Sequence, residues 1–141
     1  MQHRPDAPFT GAALAYTMIR VRDLEASLDF YTGALGMTLV HRQDYPEGRF
    51  TLAFVGYPAP DNENPVTIEL THNWDRDEAY SHGSGFGHIA LRVPDVYAAT
   101  AAAQAAGAKV VRPAGPMQAG TEVIAFVTDP DGYRIELVAG H

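Results

Sequence analysis

The sequence predicts an α+β protein of two tandem β-α-β-β-β modules that form a curved mixed sheet. Three observations predict this fold: segments that recur in the same order, an aspartate before a helical pattern in each copy, and β-branched runs at the strand positions. The length of 141 residues suits one domain. We expect a flexible tail over residues 1–12 and one domain over 13–141, with module one at about 13–72 and module two at about 86–138.

The duplication is visible as three pairs of segments in the same order: 16–31 with 88–103, 52–57 with 124–129, and 66–70 with 133–137. The members of the first two pairs lie 72 residues apart, and those of the third pair lie 67 apart. The difference falls in a turn, which is longer in the first copy (GYPAPDNENP) than in the second (TDPDG). Residues at matching positions are therefore expected to occupy equivalent places in two similar modules.

Each module contains one predicted helix. Asp23 and Asp95 are good N-caps, because a short carboxylate accepts the free amide hydrogens of a first helical turn. Gly36 and Gly107 are the expected ends of the two helices. In the first helix the residues expected to face the sheet recur at helical spacing: Leu24, Leu28, Tyr31 and Leu35.

The strands are predicted from runs rich in β-branched and aromatic residues that are bounded by Pro, Gly, Asp or Asn. Each module opens with a short apolar strand, and the remaining strands are predicted at 38–42, 50–56, 66–71, 109–112, 122–128 and 133–138. Residues 129–132 (DPDG) form a tight turn between two of them. Residues 72–86 are a long loop of the kind that carries function.

Composition excludes several classes of function. Ten basic and 17 acidic residues give a net charge of −7, which argues against nucleic-acid and anionic-membrane partners. No apolar run approaches the roughly 20 residues of a membrane span, and residues 1–11 lack the apolar stretch of a secretory signal. Cysteine is absent, which excludes disulfides and thiol catalysis. We therefore expect a cytoplasmic protein.

Two glutamates stand at matching positions of the last strands, Glu69 and Glu136. Strand side chains alternate between faces, so Ile68 and Leu70 point toward the helix while Glu69 points the other way. Both carboxylates could simply face solvent on an open sheet. A carboxylate among apolar strand residues is seldom buried without a partner or cation, however, and its recurrence in both copies favours a functional site.

His88 opens module two, and the repeat relates it to Tyr16 as it relates Glu136 to Glu69. A lone histidine before a strand is more often structural, but one imidazole with two carboxylates suits zinc, nickel, cobalt, iron or manganese. The GSGFG segment before His88 precedes a strand instead of a helix, so it does not indicate a phosphate site. The other histidines are expected to face solvent: His3, His41, His72, His82 and His141.

Arg20 lies four residues after Tyr16 on the same predicted strand, and therefore on the same face. An arginine there could bind a carboxylate in bidentate fashion, or it could form a surface ion pair. Arg92 occupies the matching position in module two. Asn73 and Trp74 follow the Glu69 strand and could contact a ligand or form a structured turn.

These segments together resemble the glyoxalase I family, the lactoylglutathione lyases of the vicinal oxygen chelate superfamily. DPDGYRIEL (129–137) is typical of the superfamily, whereas IELTHNW (68–74) with GFGHIA (85–90) is more specific to this family. The resemblance implies a homodimer whose sites form where modules of two subunits meet. It implies a glutathione–methylglyoxal hemithioacetal as substrate, converted to S-lactoylglutathione through a metal-stabilised enediolate.

By resemblance the metal ligands are Glu69, His88 and Glu136, with Tyr16 at the fourth position. Glu136 is implied as the principal base, with Glu69 as its partner, and Arg20 and Asn73 as glutathione contacts. The chain lacks the long extra segments of zinc-preferring members, so nickel or cobalt is favoured, with zinc possible.

Tyr16 departs from the family pattern, which has His or Gln at that position. A phenol has a pKa of about 10 and binds a metal well only when its proton is lost. Tyr16 could bind as a phenolate, could leave its place to water, or could mark an inactive copy.

Two rival functions follow from this departure and from the fold. A metal-poor relative could act as a small-molecule binding or resistance protein, although two retained glutamates argue against that. Ring-cleaving dioxygenases and fosfomycin-modifying enzymes use two His and one Glu, which differs from the set found here.

Overall fold

The computed structural model describes residues 7–140. Its strands are β1 (Tyr16–Arg20), β2 (Thr38–Tyr45), β3 (Phe50–Gly56), β4 (Thr67–Asn73), β5 (Ile89–Arg92), β6 (Lys109–Pro116), β7 (Val123–Thr128) and β8 (Arg134–Val138). Its helices are α1 (Leu24–Leu28), which a π-helical segment (Asp29–Ala34) continues, and α2 (Val96–Ala105). Of the predicted tail, residues 1–6 lie outside the described part, and residues 7–12 form turns.

The strands form two four-stranded sheets, one from each module. Their orders are β1-β4-β3-β2 and β5-β8-β7-β6, so the second sheet repeats the first. In each sheet the first and last strands of the module are parallel neighbours, and the other pairs are antiparallel. The predicted α+β fold with a duplicated β-α-β-β-β module is therefore confirmed. Neither helix is long and apolar enough to cross a membrane within the described residues.

The predicted caps and ends of the helices are present. Asp23 Oδ1 accepts the Ala26 amide at 3.1 Å, and Asp95 Oδ1 accepts the Ala98 amide at 3.2 Å. Gly36 and Gly107 have positive φ angles of 67° and 100°, which glycine adopts without steric cost. The first helix differs from a continuous α-helix, because its second half is π-helical and its hydrogen bonds there span five residues.

Several strands extend beyond their predicted ends. β2 continues to Tyr45 because that residue still pairs with Phe50 of β3, and β6 continues to Pro116 opposite Val123. Both long strands contain register shifts of the kind that β-bulges produce. β4 includes Asn73, which pairs with Phe50, so this residue belongs to a strand and the following loop begins at residue 74.

The core lies between the helices and one face of each sheet. The alternation of the strands buries every second residue there, and the fully buried members include Val55, Leu70, Val127, Ile135 and Leu137. Each such aliphatic side chain contributes about 1.5–3 kcal/mol when it is fully buried. The residues between them point to the opposite faces of the sheets, which are only partly covered.

The turn between β7 and β8 of module two forms hydrogen bonds with module one. Tyr31 donates a hydrogen bond of 2.7 Å to Asp129 Oδ2 in the interior. Asp131 Oδ1 accepts the Arg22 amide at 2.9 Å. Burial raises the pKa of the Asp129 carboxyl and, more strongly, that of the Tyr31 phenol. The two groups therefore depend on each other, because neither has water to replace its partner.

Replacement of Tyr31 by Phe is expected to lower the free energy of unfolding by about 1–3 kcal/mol, because Asp129 Oδ2 loses its buried donor. Denaturant unfolding measures the change. Tyr97→Phe on the exposed side of α2 is the matched control and should leave stability nearly unchanged. Equal stabilities for the two variants would mean that the buried bond contributes nothing.

Candidate metal centre

Glu69 is a buried carboxylate on the sheet face that points away from the helix. Its neighbours Ile68 and Leu70 are 5% and 0% exposed on the helix side, and Glu69 itself is only 8% exposed. Its one hydrogen bond in the described part of the chain comes from Thr71 Oγ1, at 2.7 Å from Oε2. One hydroxyl donor compensates a buried negative charge poorly, so the site suits an added cation.

His88 and Glu136 converge on the equivalent face of module two. His88 Nε2 lies 3.1 Å from Glu136 Oε1. The imidazole packs edge-on against Phe126, with ring centroids 5.1 Å apart, and Phe126 pairs with Glu136 across β7 and β8. The set His88, Phe126 and Glu136 is called the second half-site below. It presents a nitrogen and an oxygen donor on one small patch.

Module one contains the equivalent arrangement. Tyr16 packs edge-on against Phe54 with ring centroids 5.3 Å apart, and Phe54 pairs with Glu69 across β3 and β4. The set Tyr16, Phe54 and Glu69 is called the first half-site. Its interplanar angle of 84° is nearly the 85° of the second half-site, so the ring packing of the two sets is similar.

Phe54 and Phe126 belong to the half-sites but are not among the site residues predicted from the sequence. Phe54 and Phe126 occupy the same place in the repeated segments LAFVGY and IAFVTD, so the repeat contained the signal. Each ring supports the donor side chain of its half-site and shields one side of it from water.

The half-sites differ in how their polar groups are engaged. His88 contacts Glu136, whereas Tyr16 makes no hydrogen bond with Glu69 in the described structure. Tyr16 is 52% exposed. Glu69 instead accepts a hydrogen bond from Thr71. The residue of module two that matches Thr71 is Val138, which has no hydroxyl.

One chain does not assemble the four predicted ligand positions into one cluster. Within residues 7–140 no three His, Asp or Glu side chains converge on a common point. The structure brings His88 and Glu136 together on one sheet and places Glu69 and Tyr16 on the other. Each half-site therefore supplies part of the predicted donor set.

Arg20 and Asn73 lie at the ends of neighbouring strands on the Glu69 side of the sheet. The Arg20 side chain is exposed and forms no hydrogen bond or ion pair with any described residue, so it is available to an anionic ligand. Asn73 Nδ2 donates to the Tyr80 hydroxyl at 3.0 Å. Trp74 is partly buried and donates through Nε1 to Thr51 Oγ1 at 2.8 Å.

The histidines outside the half-sites are less exposed than expected. His41 is exposed. His72 Nδ1 and His82 Nε2 are buried and have no hydrogen-bond partner among the described residues, so the expectation that both face solvent is wrong. His72 follows Thr71 in β4, so its side chain lies on the opposite face of the sheet. It lines a cavity of about 730 Å³ on the helix side of module one, away from both half-sites. His3 and His141 lie outside the described residues.

The chain matches known proteins over most of its length. The family model of the Glyoxalase/Bleomycin resistance protein/Dioxygenase superfamily matches residues 13–137. A lactoylglutathione lyase of Neisseria meningitidis serogroup B is 58% identical over 125 residues, which cover 89% of this chain and 88% of that protein. A probable lactoylglutathione lyase of Synechocystis is 59% identical, with 89% and 93% covered.

Solved structures show the same fold. Glyoxalase I from Zea mays superposes with a TM-score of 0.84 at 37% identity over 90% of this chain, which spans 44% of the maize chain. The trypanothione-dependent glyoxalase I of Leishmania major gives a TM-score of 0.76 at 38% identity, with 90% of this chain and 86% of that chain covered.

Thr71→Val is expected to lower the free energy of unfolding by about 1.5–3 kcal/mol in metal-free protein, because a buried charge loses its donor. Denaturant unfolding in the presence of a chelator provides the measurement. Thr67→Val, on the same strand and face, is the matched control, since its hydroxyl donates to no described residue. A Thr71 variant as stable as this control would show that Glu69 does not need the hydroxyl.

Proposed function

The chain belongs to the Glyoxalase/Bleomycin resistance protein/Dioxygenase superfamily, and we propose that it is a lactoylglutathione lyase of the glyoxalase I type. The proposed reaction converts the hemithioacetal of glutathione and methylglyoxal into S-lactoylglutathione. The observation that carries the proposal is the matching composition of the two half-sites, in each of which a phenylalanine packs against the donor ring of Tyr16 or His88 and pairs across the strands with a glutamate. The high identity to lactoylglutathione lyases supports the same reaction.

Glu69, His88 and Glu136 are the proposed ligands of a divalent cation, with Tyr16 at the fourth position. The donor set fits such an ion, because one imidazole and carboxylates that lack sufficient partners combine nitrogen and oxygen ligands. Nickel or cobalt is the favoured ion, and zinc is possible. When bound, a divalent cation acts as a Lewis acid and stabilises negative charge on adjacent substrate oxygens.

A homodimer is the proposed active form. The first half-site lies on one sheet and the second on the other, and one chain does not bring them together. Hydrophobic side chains are exposed in and around the first half-site, including Tyr16 at 52%, Met18 at 38% and Val40 at 45%. A second copy would cover these side chains and contribute the missing half-site.

Glu136 is the proposed base that moves a proton between the two adjacent substrate carbons. It is 16% exposed, so a carboxylate in this place reacts in surroundings with little water. His88 Nε2 lies 3.1 Å from one of its oxygens, Oε1. Glu69 is the proposed partner on the opposite side, held by Thr71.

Arg20 and Asn73 are the proposed contacts for the glutathione portion. The free guanidinium of Arg20 supplies a local positive charge in an acidic protein, and it can bind a carboxylate with two parallel hydrogen bonds. Asn73 lies at the same end of the sheet, near Tyr80. Glutathione itself is part of the proposal, because one structural relative is described as trypanothione-dependent. The cytoplasm is the proposed location, supported by the absence of cysteine.

One observation favours a second candidate, a metal-poor small-molecule binding protein of the same superfamily. The Tyr16 ring rests on Phe54 and its hydroxyl makes no contact with Glu69. A neutral phenol in this place weakens metal binding. The lyase proposal is preferred because both glutamates are retained and held by specific neighbours.

Glu136→Gln is expected to lower kcat by about 10²- to 10⁴-fold, because an amide cannot accept the proton. The change is measured as thioester absorbance formed from methylglyoxal and glutathione, with circular dichroism as the check on folding. Glu47→Gln in an exposed turn is the matched control and should turn over normally. Near-native turnover of the Glu136 variant would remove this residue as the base.

Tyr16→His is expected to increase nickel affinity about 10-fold or more, because a neutral imidazole binds without losing a proton. Calorimetric titration and the metal content of the purified protein measure this, and thioester formation with added nickel should be restored or increased. Tyr97→His on α2 controls for a new surface histidine. If neither the wild type nor the Tyr16 variant binds metal or forms thioester, the enzymatic assignment is wrong.

A further inference from the structure

An aromatic cluster of His82, Phe86 and Tyr133 lies beside the end of β1. The His82 ring stacks on the Tyr133 ring with centroids 4.0 Å apart and an interplanar angle of 8°. Phe86 meets Tyr133 edge-on at 5.3 Å. Because His82 Nε2 is buried and has no partner among the described residues, ring stacking holds His82 in place instead of a hydrogen bond.

The cluster is connected to Arg20 through one hydrogen bond. Tyr133 is 7% exposed and donates its hydroxyl to the Arg20 carbonyl oxygen at 2.9 Å. In the described part of the chain β1 is an edge strand whose neighbour is β4, and on that side the Val21 amide donates to the Thr71 carbonyl oxygen. The Arg20 carbonyl lies on the free edge, so Tyr133 supplies the bond that no strand provides.

A small cavity of about 180 Å³ is lined by the cluster and by residues of β1, including Arg20. The Arg20 side chain is exposed, and no described residue binds its guanidinium. Among the described residues, Tyr133 donates a side-chain hydrogen bond to the Arg20 peptide, whereas none binds the Arg20 guanidinium.

We propose that His82 is a positioning residue for Arg20. It holds the Tyr133 ring so that its hydroxyl fixes the peptide from which the Arg20 side chain extends. This inference rests on the proposed function, in which Arg20 binds a glutathione carboxylate. A guanidinium that starts from a fixed backbone loses less freedom on binding, so the effect falls on substrate affinity and not on proton transfer at Glu136.

The test compares His82→Ala, which removes the stack, with His82→Phe, which retains it. His82→Ala should raise KM for the hemithioacetal, and Kd for the unreactive S-methylglutathione, by about fivefold or more with kcat nearly unchanged. His82→Phe should remain close to the wild type. Tyr133→Phe keeps the ring but removes the donor, so it should resemble His82→Ala even if the latter variant folds poorly.

A double variant that combines His82→Ala with Arg20→Ala tests most directly whether His82 acts through Arg20. If His82 acts through Arg20, His82→Ala should have no further effect on KM or on S-methylglutathione binding once Arg20 is removed. An unchanged KM in His82→Ala, an equal loss in His82→Phe, or additive effects in the double variant would each overturn the positioning role while the wild type remains active. A wild type that neither turns over the hemithioacetal nor binds S-methylglutathione would overturn the proposed function and this inference together.

Discussion

The alternation of side chains along β4 and β8 is the constraint on which the rest of the structure depends. In each strand, two aliphatic residues are buried against the helix, and the glutamate between them is forced onto the opposite face. A shift of one residue in register would bury the carboxylate in the core and expose the aliphatic residues. Packing of Leu70 and Leu137 therefore fixes Glu69 and Glu136 in place, and the fold and the candidate site have a common origin.

Much of this arrangement can be predicted from the sequence, because it depends on periodicity and on the repeat. The helix caps at Asp23 and Asp95, the facing of Glu69 and Glu136, and the equivalence of Tyr16 with His88 all follow from local chemistry or from matching positions. None of these features depends on how the two sheets are arranged in the folded protein.

The features that the sequence did not predict depend on contacts between distant parts of the chain. The hydrogen bond from Thr71 to Glu69 depends on the side-chain geometry of the folded strand, which the sequence pattern does not give. His82 is distant in sequence from Tyr133, and no local pattern indicates that the two rings stack. The pairing of Asn73 with Phe50 likewise depends on a neighbouring strand.

The two half-sites carry different donor groups. Module two keeps an imidazole and a carboxylate in contact, whereas module one has a phenol and a buried carboxylate held by a hydroxyl. A duplicated scaffold thus carries two different donor sets on equivalent frames. The proposed function requires that these sets meet across two chains.

Complementation between inactive variants tests that requirement most directly. Glu69→Gln and Glu136→Gln are each expected to be inactive as homodimers, and equal amounts are refolded together. If each site takes Glu69 from one subunit and Glu136 from its partner, half of the dimers are mixed and regain one intact site, which restores about one quarter of wild-type activity. Activity no higher than that of the separate variants would contradict a site shared between two chains.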